Sequence, residues 1–158
     1  MTSHRPDRTL VVRPLGRDEA DWYAASLDHE ILRWSREEPI TNIEEWWKWA
    51  GKDRLVIECC DQPVGAAKLA VDDHRVEISY WVAADHRGNG YATSGLEELT
   101  SLALDRHPKL PIELEIHPEN DASTRVATKV GYAFVELRSS CDSCADADGN
   151  VAVYRYTT

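Results

Sequence analysis

The sequence predicts an α/β (α+β) single domain, a mixed, mostly antiparallel seven-stranded sheet with helices on both faces. Two patterns and a size carry this. Three strand-like runs, Arg54 to Cys60, Val64 to Val71 and Arg75 to Val82, are separated only by Asp61-Gln62-Pro63 and Asp72-Asp73-His74. Connections that short make an antiparallel meander. Beyond them the apolar period alternates between 3.6 and 2, a helix–strand order that packs helices against a sheet. With 158 residues, 42% of them hydrophobic, the chain has the size of one compact domain spanning 1–158.

Each element follows from local signals. A polar leader over 1–7 is expected to fray, and Leu10-Val11-Val12 marks a first strand within Arg8 to Leu15. Ala20, Tyr23, Ala24, Leu27, Ile31 and Leu32 recur at helical spacing, so one or two helices lie between Arg17 and Trp34. Asn42 is placed to cap a short helix carrying Trp46, Trp47 and Trp49, with Glu45 set to reach back as in a capping box. After the meander, Gly90 to His107 is the main helix, with Ala92, Leu96, Leu99 and Ala103 on one stripe and Pro108 ending it. Pro111 to His117 is a strand, and Asp121 to Val130 a helix closed by Gly131. Tyr132 to Leu137 and Asn150 to Tyr156 form a terminal pair around the loop 138–149.

The strand ending at Val82 runs into Arg87-Gly88-Asn89-Gly90-Tyr91-Ala92-Thr93 and then into the main helix. Glycines let the backbone approach a ligand, and a helix N-terminus attracts an anion. Thr93 stands where a dinucleotide loop wants its third glycine, and no Gly-Lys-Ser/Thr follows, so the nucleotide-binding loops are excluded. About thirty residues on the chain reads Asn120-Asp121-Ala122-Ser123-Thr124-Arg125-Val126, then Lys129-Val130-Gly131-Tyr132. These segments resemble the R-x-x-G-x-G/A and N-x-x-S-x-R-V…K-x-G-[FY] motifs of the GNAT superfamily N-acetyltransferases, in the branch containing ribosomal-protein N-terminal acetyltransferases. The resemblance covers roughly 75–136, and the GNAT fold it implies is the one already predicted.

By resemblance, acetyl-CoA is the cosubstrate and acetyl transfer to a primary amine is direct. The same likeness makes Tyr80-Trp81-Val82 the strand that pairs with the pantetheine arm, with amides near Val82 as oxyanion donors. Arg87, Gly88, Asn89, Gly90, Tyr91, Ala92 and Thr93 then cradle the pyrophosphate, and Asn120 anchors the arm. Asn89 departs from the Lys or Arg that relatives often carry. The tyrosine that often protonates the thiolate would fall at Ala127, which leaves Ser123 beside the sulfur. Glu113, Glu115 and His117 share a strand face, as do Glu77, Ser79 and Trp81. Glu115 matches the catalytic glutamate of the ribosomal-protein enzymes and Glu77 the base of the histone-acetylating relatives, while Ser79, Glu113 and His117 would meet the acceptor.

Trp34, Glu37 and Trp46 are read as an aromatic and acidic acceptor wall, since tryptophan faces and carboxylates attract amines. Trp46 and Trp49 are equally spaced to pack under the sheet. Polyamine, aminoglycoside, peptide N-terminus and small biosynthetic amine all stay open. A formal charge of −10 argues against nucleic acid. No apolar run spans a bilayer and no signal peptide opens the chain, so a cytoplasmic location is expected. A homodimer is left open. Cys141 and Cys144 have the spacing of half a zinc knuckle without a second half, so no metal is expected. Cys59 and Cys60 raise a ping-pong route with a cysteine nucleophile, and a coenzyme A-binding sensor or scaffold module is the non-enzyme alternative.

Overall fold

The computed structural model describes residues 9–140 and 145–157. The leader 1–7 and the Cys141/Cys144 pair lie outside them. Seven strands form one sheet: β1 Leu10–Pro14, β2 Leu55–Cys59, β3 Gln62–Val71, β4 Val76–Val82, β5 Ile112–Ile116, β6 Tyr132–Ser139 and β7 Asn150–Tyr156. Their spatial order is β1-β2-β3-β4-β5-β7-β6, antiparallel except for β4 beside β5. The helices are α1 Ala20–Ser26, α2 His29–Trp34, α3 Ile43–Trp49, α4 Tyr91–Arg106 and α5 Asp121–Val130. Asn42 caps α3 by accepting from the Glu45 amide at 3.1 Å, and Gly131 ends α5 at φ 117°.

The first hairpin differs from its sequence reading. The turn is Cys60-Asp61, both at positive φ (58° and 61°), and Cys59 pairs directly with Gln62. Two residues of positive φ give the twist a tight hairpin needs. Pro63 therefore lies inside β3, next to a register shift at Ile57/Glu58, where a missing amide proton is tolerated.

Two cores flank the sheet. Under α4 and α5 lie Ile57, Ile78, Leu96, Leu99, Ile112, Leu114 and Ala127, and on the opposite face α1 to α3 pack Tyr23, Ile31 and Trp46 against Val56, Ala66 and Trp81. Those three helices cover only the β1–β4 half of their face. Across the rest, four arginines and four glutamates take the place of a helix.

At the centre of that lattice, Glu113 is 1% exposed. It accepts from Arg155 at 2.6 Å and Arg75 at 3.2 Å, with Arg138 at 3.5 Å. Burial alone would raise its pKa, but the hydrogen bonds from Arg155 and Arg75 override it and hold the carboxyl below its ordinary 4.5. A depressed folded-state pKa means stability that is complete above the unfolded value and lost as pH falls through the folded one. Glu113→Gln leaves guanidiniums uncompensated, so it should cost about 3 kcal/mol near neutrality, roughly 6–12 °C in Tm. The wild-type advantage should shrink below about pH 4.3. Melting curves of both proteins from pH 7 to 3 check this, and parallel curves would contradict it.

Candidate active site

β4 and β5 pair at only two positions, Val76 with Ile112 and Glu77 with Glu113. Beyond them the strands part. The ladder between β3 and β4 fixes which amides face the gap: Ala83 donates to Val64 O at 2.9 Å and Val76 to Pro111 O at 2.9 Å. Alternation along an antiparallel pair then turns the amides of Tyr80 and Val82 away from β3, toward the side that β5 leaves. The opening is a cleft of about 460 Å³.

The cleft gathers most of the residues expected from sequence. Trp34, Glu37, Glu77, Ser79, Tyr80, Trp81, Val82, Arg87, Ala92, Glu115, Asn120 and Ser123 all line it. Beside Ala92, Gly88 (φ 77°) and Gly90 (φ 81°) make the turn into α4, and Gly90 caps that helix without any side-chain bond to the first-turn amides. A helix start offers such first-turn amides, here those of Ala92 and Thr93, to an anion. Asn89 shapes the turn instead of reaching out, its Nδ2 donating to the carbonyls of His86 at 3.1 Å and Arg87 at 3.2 Å.

Asn120 caps α5, its Oδ1 accepting from the Ser123 amide at 3.2 Å. Elsewhere on that helix Thr124 and Thr128 donate their hydroxyl protons to the backbone carbonyls one turn back, at 3.1 and 3.0 Å. The Ser123 side chain makes no such bond and lies on the cleft wall near the Tyr80 hydroxyl, whose pKa burial pushes up to about 12 against a lowering influence from Ser123. Two hydroxyls thus meet on the cleft wall, one a phenol that keeps its proton at every working pH.

Glu77 and Glu115 face one another across the parting strands, and Arg36 joins them. Its Nη1 lies 3.1 Å from Glu77 Oε1 and its Nη2 bonds Glu115 Oε2. Arg75 donates to Glu115 Oε1 at 3.1 Å, so both Glu115 oxygens are held by guanidiniums. Glu37 is likewise spoken for by the Tyr23 hydroxyl and by Arg54 at 3.5 Å.

Several expectations are corrected. Arg87 does not point along the glycine loop. Its Nη1 and Nη2 bind Asp28 at 2.8 and 3.0 Å, and its Nε donates to Val82 O at 3.1 Å. Glu113 is sealed among arginines, and Trp46 stacks on Tyr23 with ring centroids 4.7 Å apart, so neither lines the cleft. His117 sits outside the lining, edge-on to Trp34 at 5.1 Å. Ala127 is wholly buried under the sheet, and Val126 is the neighbour that turns to the cleft. Cys59 is buried and Cys60 exposed at the hairpin turn, neither on the cleft, which removes the cysteine-nucleophile route. Sequence reading missed Tyr23, Arg36 and Arg54, whose partners lie up to 79 positions away. Among the described residues no cluster of His, Cys, Asp or Glu is placed to hold a metal ion, and no helix is long and apolar enough to cross a membrane.

Residues 9–133 match the family model of the acetyltransferase (GNAT) domain. A search of curated proteins returns no match. Among solved structures, the chain is similar to RimL, a ribosomal L7/L12 alpha-N-protein acetyltransferase in complex with coenzyme A (TM-score 0.77, 18% identity, 93% of each chain covered). It is similar to the aminoglycoside acetyltransferase AAC(6')-Ib in complex with paromomycin and acetyl-CoA (TM-score 0.77, 17% identity, 94% of this chain and 93% of the other). It also resembles spermidine N-acetyltransferase from Vibrio cholerae with coenzyme A and spermine (TM-score 0.74, 21% identity, 92% of each). At such identities the likeness is one of fold.

Proposed function

The chain belongs to the GNAT acetyltransferase family, and from that premise we propose direct transfer of acetyl from acetyl-CoA to a primary amine in the parting of β4 and β5. The observation that carries this is a single cleft joining the N-terminal turn of α4, two gap-facing amides and a carboxylate pair. Pyrophosphate would rest on the Gly88–Gly90 turn and the first amides of α4, and the pantetheine arm would extend β4 with Asn120 holding its far side. An acceptor ammonium would take the place that Arg36 holds between Glu77 and Glu115, losing a proton to Glu115. The free amine then attacks the thioester carbon. A C–N bond forms, the carbonyl oxygen gains the charge beside the Val82 amide, and the C–S bond breaks as it collapses. Ser123 donates a hydrogen bond to the departing thiolate, and the proton released from nitrogen ends on sulfur.

The acceptor is read as an amine of low charge. A polycation needs unpaired acids, and the carboxylates of Glu37, Glu77 and Glu115 each have a guanidinium partner. Cytoplasmic acetyl-CoA would be the donor. One fact favours a catalytically weak, coenzyme A-sensing module: Arg36 and Arg75 occupy both Glu115 oxygens, so an acceptor reaches them only when Arg36 moves.

Acetyl-CoA consumption with benzylamine, spermidine, kanamycin and a tripeptide of free N-terminus separates the readings. Benzylamine or the tripeptide should lead, and no turnover with any of the four would leave the sensor. In the same assay Glu115→Gln should lower kcat about a hundredfold and displace the acid limb of the pH profile. A loss confined to KM would make Glu115 an acceptor-binding group.

A further inference from the structure

We propose that Asp28 is a positioning residue for acetyl transfer, and that its pairing with Arg87 couples the cofactor loop to the acceptor wall instead of leaving Arg87 to bind phosphate. This rests on the transferase reading for its kinetic arm but not for its binding arm. Three of the five Arg87 N–H donors are engaged: Nε with Val82 O at 3.1 Å, Nη1 and Nη2 with the two Asp28 oxygens at 2.8 and 3.0 Å. The guanidinium lines the cleft shared with Val82 and Ala92, while Gly88, Asn89 and Gly90 lie outside its lining. Parallel two-point pairing fixes direction as well as distance, which a single ammonium contact does not.

Asp28 has a second duty. Its Oδ1 also accepts the Ile31 amide at 3.0 Å, so the same carboxylate is the N-cap of α2. That helix carries Ile31 and Trp34 into the cleft and leads directly to Arg36, the residue between Glu77 and Glu115. The chain of contacts therefore runs from Val82, beside the gap-facing amide, through Arg87 and Asp28 to the first turn of the acceptor wall. Loosening either end leaves the anion cradle untouched, because that cradle is built from glycine turns and amides.

Asp28→Asn keeps the amide-capping oxygen and removes the charge, and Arg87→Lys keeps the charge and removes the fork. Acetyl-CoA affinity is read by calorimetry, and transfer with whichever of the four amines the wild type acetylates fastest. Each variant should bind acetyl-CoA within about twofold of wild type and lose about three- to tenfold in kcat/KM for the amine, with the double variant no worse than either single. Arg87→Lys weakening acetyl-CoA tenfold while Asp28→Asn does not would return Arg87 to the phosphate. Tighter acetyl-CoA binding by Asp28→Asn would make Asp28 a competitor for that arginine. Unchanged transfer in both variants would reduce the pair to a surface contact. Each result overturns the proposal, and wild type inactive on all four amines would overturn the transferase reading while calorimetry still decides where Arg87 points.

Discussion

Gly90→Val should abolish the thermal stabilisation that coenzyme A gives the wild-type protein. Ligand at a hundredfold its Kd adds about 2.7 kcal/mol to the folded state, roughly 5–11 °C for a chain of this size. Gly90 has φ 81° and caps α4, and a Cβ built there meets nothing within 4 Å. The damage is thus not a clash inside the fold. A β-branched residue is held out of left-handed backbone by about 1–2 kcal/mol, so the turn re-forms and the α4 amides lose their aim. On the proposed reading, the new side chain would also stand in open space beside the turn where the pyrophosphate is placed. Melting with and without coenzyme A measures both effects: a lower Tm without ligand and no shift with it. A full shift in the variant would put the cofactor somewhere other than this loop.

Ser123→Ala should slow single-turnover transfer about ten- to a thousandfold with acetyl-CoA affinity unchanged, the range for loss of one positioned donor. The hydroxyl lies on the cleft wall and is not bonded back to α5, unlike those of Thr124 and Thr128, which bond their own helix. Tyr80 lines the same wall, so Tyr80→Phe is the companion: a smaller loss there, vanishing in the Ser123→Ala background, identifies a coupled pair. Ala127→Tyr offers no rescue, because Ala127 is fully enclosed and a ring there overpacks the core. A Ser123→Ala enzyme at the wild-type rate would mean that solvent serves the thiolate.

The meander, the main helix and the two motif segments were legible because their signals are local: period, turn residues and glycines at fixed offsets. Their ranges agree with the observed strands to within two residues, the exception in kind being Pro63, read as a turn but found inside β3 at an irregular register. The site was legible where a single strand sets direction. Alternation put Glu77 with Ser79 and Glu113 with Glu115, and the structure keeps those faces. It could not reveal which of them faces the cleft, since that depends on Arg36, Arg75, Arg138 and Arg155 arriving from distant segments. Glu113 and Glu115 look alike in sequence, yet one is sealed in the lattice and the other lines the cleft. On helices an offset of one residue rotates a side chain by about 100°, enough to separate Ala127 in the core from Val126 at the cleft. Arg87 was misdirected for a third reason: charge predicts attraction to phosphate, but a carboxylate contributed by another element was nearer.

The brief contact between β4 and β5 has a mechanical corollary. With two residue pairs joining them, the sheet is two stiff panels, β1–β4 and β5–β7–β6, sharing a short seam at Val76/Ile112 and Glu77/Glu113. Bending about that seam breaks few backbone hydrogen bonds, and its cost falls instead on the core that α4 shares between the two panels. The width of the gap follows from the bend, and the arginines that bridge it, Arg36 and Arg75, act as springs between the panels. A ligand that bonds the gap-facing amides of one panel and the first turn of α5 on the other works as a clamp, and hydrogen exchange along both flanking strands should slow together when it enters.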